Sequence, residues 1–313
     1  MSTRAERRSG VGTVPSGPYR LSGREWVAAL KRTFRAFLAD DCIGLAQQVA
    51  YSSLLAFFPA VIFLVGLLGL LDAYSTLKDF LRPVAPKAVL NTIDQIRKDS
   101  SSNAGSLVAF LVGGGGAAWA ASGAMASIVK AVNRAYKRPE TRPFWKVRVI
   151  SLVLVLLSGV VIAATFILIV FGPPIGDAIA KRGHLGGAFD VVWAILRWPV
   201  AFAAVLLLFS LIYYLAPDIE PRNWRWISPG SVLGALVWLA LSGLFALYTS
   251  LSSSYSRTYG SLAAGVILLL WLNYTAWAVL FGAELNSELD RQADIRAAGG
   301  EHAGLVRPAR RVR

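Results

Sequence analysis

The chain has 313 residues, 55% of them hydrophobic and 16% charged, against about 25% charged in an ordinary soluble domain. Lys and Arg number 32 against 18 Asp and Glu, leaving a net charge of +14. This balance excludes an ordinary soluble domain, and one cysteine and two distant histidines exclude a disulfide framework and a Cys/His metal cluster.

Residues 1–20 are rich in Arg, Ser, Gly and Pro and read as a disordered basic arm. No apolar h-region of a signal peptide is expected ahead of the first long apolar segment. Ser22 and Glu25 form a capping-box signature for a helix within 21–43. Trp26, Leu30, Phe34, Phe37 and Leu38 recur on one side of it, with Arg24, Lys31, Arg32 and Arg35 on the other. A basic amphipathic helix of this kind lies in the membrane interface; packing against a helical bundle is the other reading.

Six stretches then carry no charge at all: Cys42–Leu71, Ser100–Val129, Val149–Gly176, Trp198–Pro217, Trp226–Ser256 and Thr258–Ala283. About 20 apolar residues cross a bilayer core as a helix. None of the stretches alternates with the period of two that barrel strands need. The expected fold class is therefore an all-α polytopic membrane protein with six transmembrane helices. The spans fall near 44–71, 105–129, 149–171, 191–215, 229–251 and 261–283, within one domain over 44–290.

The connections have their own patterns. Between spans one and two, Leu77, Phe80, Leu81 and Val84 mark one short amphipathic helix. Val89, Ile93 and Ile96 mark another, with Pro83 and Pro86 between them. Span two holds Gly113-Gly114-Gly115-Gly116. No Lys-Ser or Lys-Thr follows, so close helix packing is expected there and not phosphate binding, supported by Gly116, Ala120 and Ala124 at four-residue spacing. Lys130–Arg148 reads as a strongly basic loop. Pro173 and Pro174 end span three, Asp177–Asp190 reads as a loop, and span six continues as a helix to about Ala293 before an Arg-rich tail over 291–313.

With both termini cytoplasmic, 23 of the Lys and Arg residues fall on the cytoplasmic side and 8 on the other. This satisfies the positive-inside rule. The excess of positive charge then reads as topology beside an anionic leaflet, and no nucleic-acid partner is expected. Lys130, Arg134, Arg142, Lys146 and Arg148 are candidate anionic-lipid contacts. An RNA-binding reading of the same loop has only Tyr136, Phe144 and Trp145 as stacking platforms.

No P-loop is present, and neither His184 nor His302 stands near a nucleophile and base in sequence. No catalytic set, metal site or cofactor is expected. Polar residues inside spans are costly in hydrocarbon and so carry the functional question. The candidate path-lining or substrate contacts are Gln47, Gln48 and Tyr51 in span one, Arg197 in span four, Asn273 in span six, and Glu284 and Asn286 at its end. For each, a helix–helix hydrogen bond or an interfacial position is the alternative.

Several segments carry a family resemblance in their order and spacing. They are Ala50-Tyr51 with Phe57-Phe58-Pro59; Asn133, Tyr136, Arg142 and Phe144-Trp145-Lys146; Tyr213 and Pro217; Trp226 with Pro229-Gly230; Tyr255 and Tyr259-Gly260-Ser261; Trp271; and Gly282-Ala283-Glu284-Leu285-Asn286. Over residues 35 to 290 the chain resembles the YihY/BrkB family of bacterial inner-membrane proteins, once labelled ribonuclease BN-like. The resemblance implies a six-helix protein of the inner membrane, and some members are linked to lipid or lipopolysaccharide transport. The expected function is a transporter or lipid-translocating protein without enzymatic activity. The alternatives are an envelope scaffold that binds anionic lipid or protein partners, and a membrane-bound ribonuclease. A homo-oligomer stays open.

Overall fold

The computed structural model describes residues 23–72, 103–170, 172–183, 187–219, 227–251 and 262–297, with isolated positions between 74 and 98. The basic arm, the Arg-rich tail, Ser22, both histidines, Trp226, Tyr255 and Tyr259-Gly260-Ser261 lie outside the described residues. So do the apolar positions expected between spans one and two.

The described helices are α1 (Gly23–Ala39), α2 (Cys42–Leu70), α3 (Asn103–Ala135), α4 (Phe144–Val170), α5 (Gly172–Gly183), α6 (Gly187–Leu215), α7 (Pro229–Leu251) and α8 (Leu262–Ala297). No strand occurs among the described residues. Six of these helices, α2, α3, α4, α6, α7 and α8, are long and apolar enough to cross a membrane. The chain is a multi-pass α-helical membrane protein.

Two local expectations are corrected. The loop expected after span three contains α5. Pro173 and Pro174 sit in its first turn, where a missing N–H leaves no helical bond unmade and a fixed φ favours helix entry. The proline pair thus opens a helix as well as ending one. The basic loop is also shorter than Lys130–Arg148. Lys130 to Ala135 are the last turns of α3, and Phe144 to Arg148 begin α4. The stop between them is a Schellman turn. Lys137 takes φ 55°, its N–H donates to the Arg134 carbonyl at 2.9 Å, and the Arg138 N–H donates to the Asn133 carbonyl at 2.9 Å.

The six spans form a ring in chain order. α2 packs on α3, α3 on α4, α4 on α6, α6 on α7, α7 on α8, and α8 closes back on α2 and also touches α3. The start of α2 and the end of α8 share one end of the ring, here the terminal end, with α1 packed across α8. The α2–α3 pair is drawn together by glycine. A Cβ on Gly66 would overlap the backbone of Ala109 and Phe110, and one on Gly113 the backbone of Ile62 and Phe63. Gly115 faces open space. Close packing therefore involves part of the glycine run.

The main apolar core is confined to the terminal half. It takes Cys42, Ala46 and Val49 from α2, Met125 to Ala135 from α3, and Leu154 from α4. Phe209, Ile212 and Tyr213 come from α6 and Ala276 to Ala283 from α8, with Val237 and Trp238 of α7 packed against them. Toward the distal end the faces of α3 and α6 open in part, while α8 stays half-buried over 265–275. On α3 the buried stripe Val129, Met125, Ser122 continues as Ala118, Gly115 and Leu111, all exposed. On α6 the stripe of Ile212, Phe209 and Val205 runs through a buried Ala201 to an exposed Trp198. The ring is closed at the terminal end and opens at the distal end along α3 and at Trp198 of α6.

On α1 the expected apolar face divides. Ala29, Thr33, Ala36 and Phe37 are buried, and Ala29 packs with Leu285 and Leu289 of α8, with Trp26 against them. Val27, Leu30, Phe34 and Leu38 point away from the protein.

The glycine crossing is testable by thermal unfolding in detergent. Gly66→Ala or Gly113→Ala is expected to lower stability by about 1–3 kcal/mol through backbone overlap. Gly115→Ala is expected to raise it by about 1 kcal/mol, since alanine is the better helix former and has room.

Candidate functional site at the closed end

Three polar assemblies close the terminal end. The first joins the α3–α4 loop to the end of α6. Asn133 on the last turn of α3 donates from Nδ2 to Glu140 Oε2 at 2.7 Å and accepts the Asp218 N–H on Oδ1 at 2.7 Å. Asp218 in turn accepts from the Thr141 N–H at 2.9 Å and the Thr141 hydroxyl at 2.6 Å. Arg142 lies beneath them. Its Nε and Nη2 donate to Glu140 at 2.7 Å each, and Nη2 also donates to the Ala216 carbonyl at 2.8 Å. A cation over the last carbonyls of α6 satisfies orphan acceptors and opposes the helix dipole. The Arg142 guanidinium holds the Glu140 carboxyl below the usual carboxylate range, against a smaller opposing effect of burial. The same bond holds Arg142 above its ordinary value.

The second assembly locks α7 to α8. Ser228 precedes Pro229 at the first helical position of α7, and Ser228 and Ser231 exchange backbone-to-hydroxyl bonds at 3.0 Å. Asn286 of α8 supplies the rest. Its Oδ1 accepts the Gly230 N–H at 2.9 Å, and its Nδ2 donates to Ser228 Oγ at 3.0 Å. The helices approach so closely that a Cβ on Gly230 would strike the Gly282 carbonyl, and one on Gly282 the Gly230 carbonyl and the Tyr213 hydroxyl. That hydroxyl, brought across from α6, donates to the Val279 carbonyl at 2.8 Å.

The third assembly surrounds Glu284, which is completely buried. Cys42 Sγ, at the start of α2, donates to its Oε1 at 3.5 Å, and Oε2 has no hydrogen-bond partner. Asp40, in the turn between α1 and α2, pairs with Lys137 at 3.4 Å and Arg134 at 3.9 Å. Glu288, one turn beyond Glu284, pairs with Arg32 of α1 at 3.5 Å and Arg291 at 2.7 Å. A charged belt therefore lies over the buried carboxyl.

The candidate residues separate by position. Glu284 and Asn286 stand in the closed end. Asn273 is half-buried and shares a face of α8 with Trp277 and Glu284. Gln47, Gln48 and Tyr51 lie on the face of α2 opposite its buried positions Cys42, Ala46, Val49 and Ala50, and do not meet Glu284. Arg197 is in the distal half, its Cδ against Gly172 and its guanidinium 5.8 Å from the Trp198 ring. Of the basic residues, Lys130, Arg134 and Lys146 are exposed. Arg142 is committed to the first assembly. Arg148 lies 4.1 Å over Trp119 and donates to Ser122 at 2.9 Å. Sequence reasoning missed Cys42, Asp40 and Asp218 as parts of these assemblies. Their signal was present: Asp41, preceded by Asp40, and Asp218 border uncharged stretches, the first of which Cys42 opens. Among the described residues, no three or more His, Cys, Asp or Glu gather as a metal site.

The first two assemblies draw Asn133, Arg142, Tyr213, Gly230, Gly282 and Asn286 from the segments that carried the resemblance. A family model described as Virulence factor BrkB matches residues 33–304. The chain belongs to the BrkB family. The ribonuclease-like protein YfkH of Bacillus subtilis is 30% identical over 268 residues, covering 85% of this chain and 96% of the relative. A UPF0761 membrane protein of Xanthomonas campestris is 27% identical over 97% of this chain and 72% of the relative. Another, from Xanthomonas oryzae, is 28% identical over 90% of this chain and 66% of the relative. No solved structure matches the chain. Within this BrkB-family chain the matched region takes in all six spans and the closed end apart from the first part of α1.

The first assembly predicts a pH response. Because Glu140 is depressed in the folded protein, its stabilisation is complete above the ordinary carboxylate range. It is lost as pH falls through the folded-state value. Thermal unfolding in detergent, scanned from neutral to acid pH, should show a decline in the wild type that is smaller in Glu140→Gln. The variant should be less stable at neutral pH.

Proposed function

We propose that this chain is a translocator of amphipathic, lipid-like substrates in the bacterial inner membrane, and that it is not an enzyme. The reading is carried by one observation: the main core occupies the terminal half, while the same face of α3, and that of α6 at Trp198, stand open distally. A helical bundle built as a scaffold gains from burying its faces along their whole length, because packing and buried polar bonds hold spans together in lipid. Here that packing is reduced in one half to pairwise contacts, α2 with α3 through Gly66 and Gly113 and α7 with α8 through Phe245 and Tyr274. Leu111, Trp198 and the glycine at 115 on the open faces offer an apolar wall suited to acyl chains. Arg197, a cation with no ion pair among the described residues, stands on the flank of that opening.

The termini face the cytoplasm in this reading. Val27, Leu30, Phe34 and Leu38 of α1 then enter the interface, while Lys31 and Arg35 beside them meet anionic headgroups. Lys130, Arg134 and Lys146 extend the same positive surface.

The test is flux of a headgroup-labelled phospholipid in proteoliposomes. Wild type should exceed protein-free vesicles. Gly115→Phe, which fills open space on a distal wall, should fold normally and slow the flux. Equal rates in wild type and empty vesicles would remove the proposal and favour an envelope scaffold.

A further inference from the structure

Glu284 is the buried group that the closed end uses least completely. It has no measurable exposure, one oxygen touches only a thiol, and the other touches no donor. Its charged surroundings are Asp40 before α2, Lys137 after α3, and Glu288 on its own helix. Those neighbours are already served. Lys137 and Arg134 pair with Asp40, and Arg32 and Arg291 pair with Glu288. Among the described residues no cation forms an ion pair with Glu284, and Lys137 acts on it only from its pair with Asp40. An ionised carboxylate in this position would be buried without a counterion or a strong donor, the costliest arrangement for a charge inside a protein. A neutral carboxyl fits the space as it stands.

We infer that Glu284 is a proton-binding site that governs the seal: with the proton bound the terminal end closes over it, and release of the proton to water opens that end. The site's ligand is thus a proton, and the inference rests on the translocator reading above, adding to it the ion that drives the cycle. The direction of access follows from the fold. Asn273, Trp277 and Glu284 lie on one face of α8, spanning 11 positions or about 16 Å. The indole N–H of Trp277 also has no acceptor. This face runs from the half-buried middle of α8, past the buried Leu280, to the carboxyl. On the other side the belt of Asp40, Lys137, Glu288 and Arg32 lies between Glu284 and the terminal surface, with α1 packed across α8. Proton release therefore removes the one state of Glu284 that the closed packing accommodates.

Cys42 is a built-in reporter. It is the only cysteine of the chain, fully buried, and in contact with Glu284. Its alkylation by a water-soluble maleimide in proteoliposomes needs both an open end and a thiolate. In the wild type the rate should rise about a hundredfold per pH unit below both midpoints, tenfold from each deprotonation. In Glu284→Gln, which carries no titrating group, it should rise about tenfold per unit. Lipid flux measured in the same vesicles separates the two readings. Flux with equal pH slopes in wild type and variant overturns the proton site and leaves the translocator. No alkylation at any pH overturns the proton site, and absent flux removes the translocator as well. Should Glu284→Gln fail to fold, infrared spectroscopy of the wild type decides. A neutral carboxyl C=O band shielded from deuterium exchange at neutral pH supports the site, and its absence overturns it.

Discussion

The contact between Gly230 and Gly282 governs the rest of the closed end. Two helix backbones meet there with no room for a Cβ on either side. Such proximity strands the first amides of α7, which in an apolar surrounding must find acceptors within the protein. Asn286 supplies one, four residues beyond Gly282, and is placed by the same crossing. Tyr213 reaches the same spot from α6 and ties a third helix to it. Once α8 is fixed in rotation by these bonds, Glu284 can only project toward the start of α2, where Cys42 receives it.

This explains why the seal is polar although the spans are not. Between apolar helices in lipid, little is gained by exchanging lipid contacts for protein contacts, so specificity rests on close backbone approach and hydrogen bonds. The terminal half has both. The distal half has the glycine crossing of α2 with α3 and the bond from Trp193 Nε1 to the Gly172 carbonyl at 2.6 Å. These join neighbours pairwise without drawing all six spans into one core. A ring whose segments are paired at one end and fused at the other has its freedom of movement already divided.

The spans were legible because charge is excluded from hydrocarbon, and an uncharged run of 20 residues or more announces itself. Glycine close packing was legible for the same kind of reason, although which glycine of four touches a neighbour was not. α5 was hidden by a proline pair that ends one helix and opens the next. The assemblies were hidden more deeply. Cys42 and Glu284 are 242 positions apart, and Asn133 and Asp218 are 85 apart. No local periodicity links such pairs; only the closure of the ring does. The rotation of α2 was equally invisible. Gln47 and Tyr51 share a face by spacing, but spacing alone does not say that this face is turned away from Glu284.

The positive charge of the terminal end, first read as a single orienting signal, has two physical roles that a residue count merges. Arg142 is almost wholly enclosed, its side chain 6% exposed, and is spent on Glu140 and the α6 carbonyls. Arg148 is spent on an indole face and a serine. Lys130, Arg134 and Lys146 remain outward. An arginine enclosed in this way orients the chain during insertion as well as any exposed one, because insertion senses charge before packing exists. After folding it no longer presents that charge to a headgroup. The surface that meets the anionic leaflet is therefore smaller than the sequence suggests, and the structural share of the charge lies where the helices must be held together.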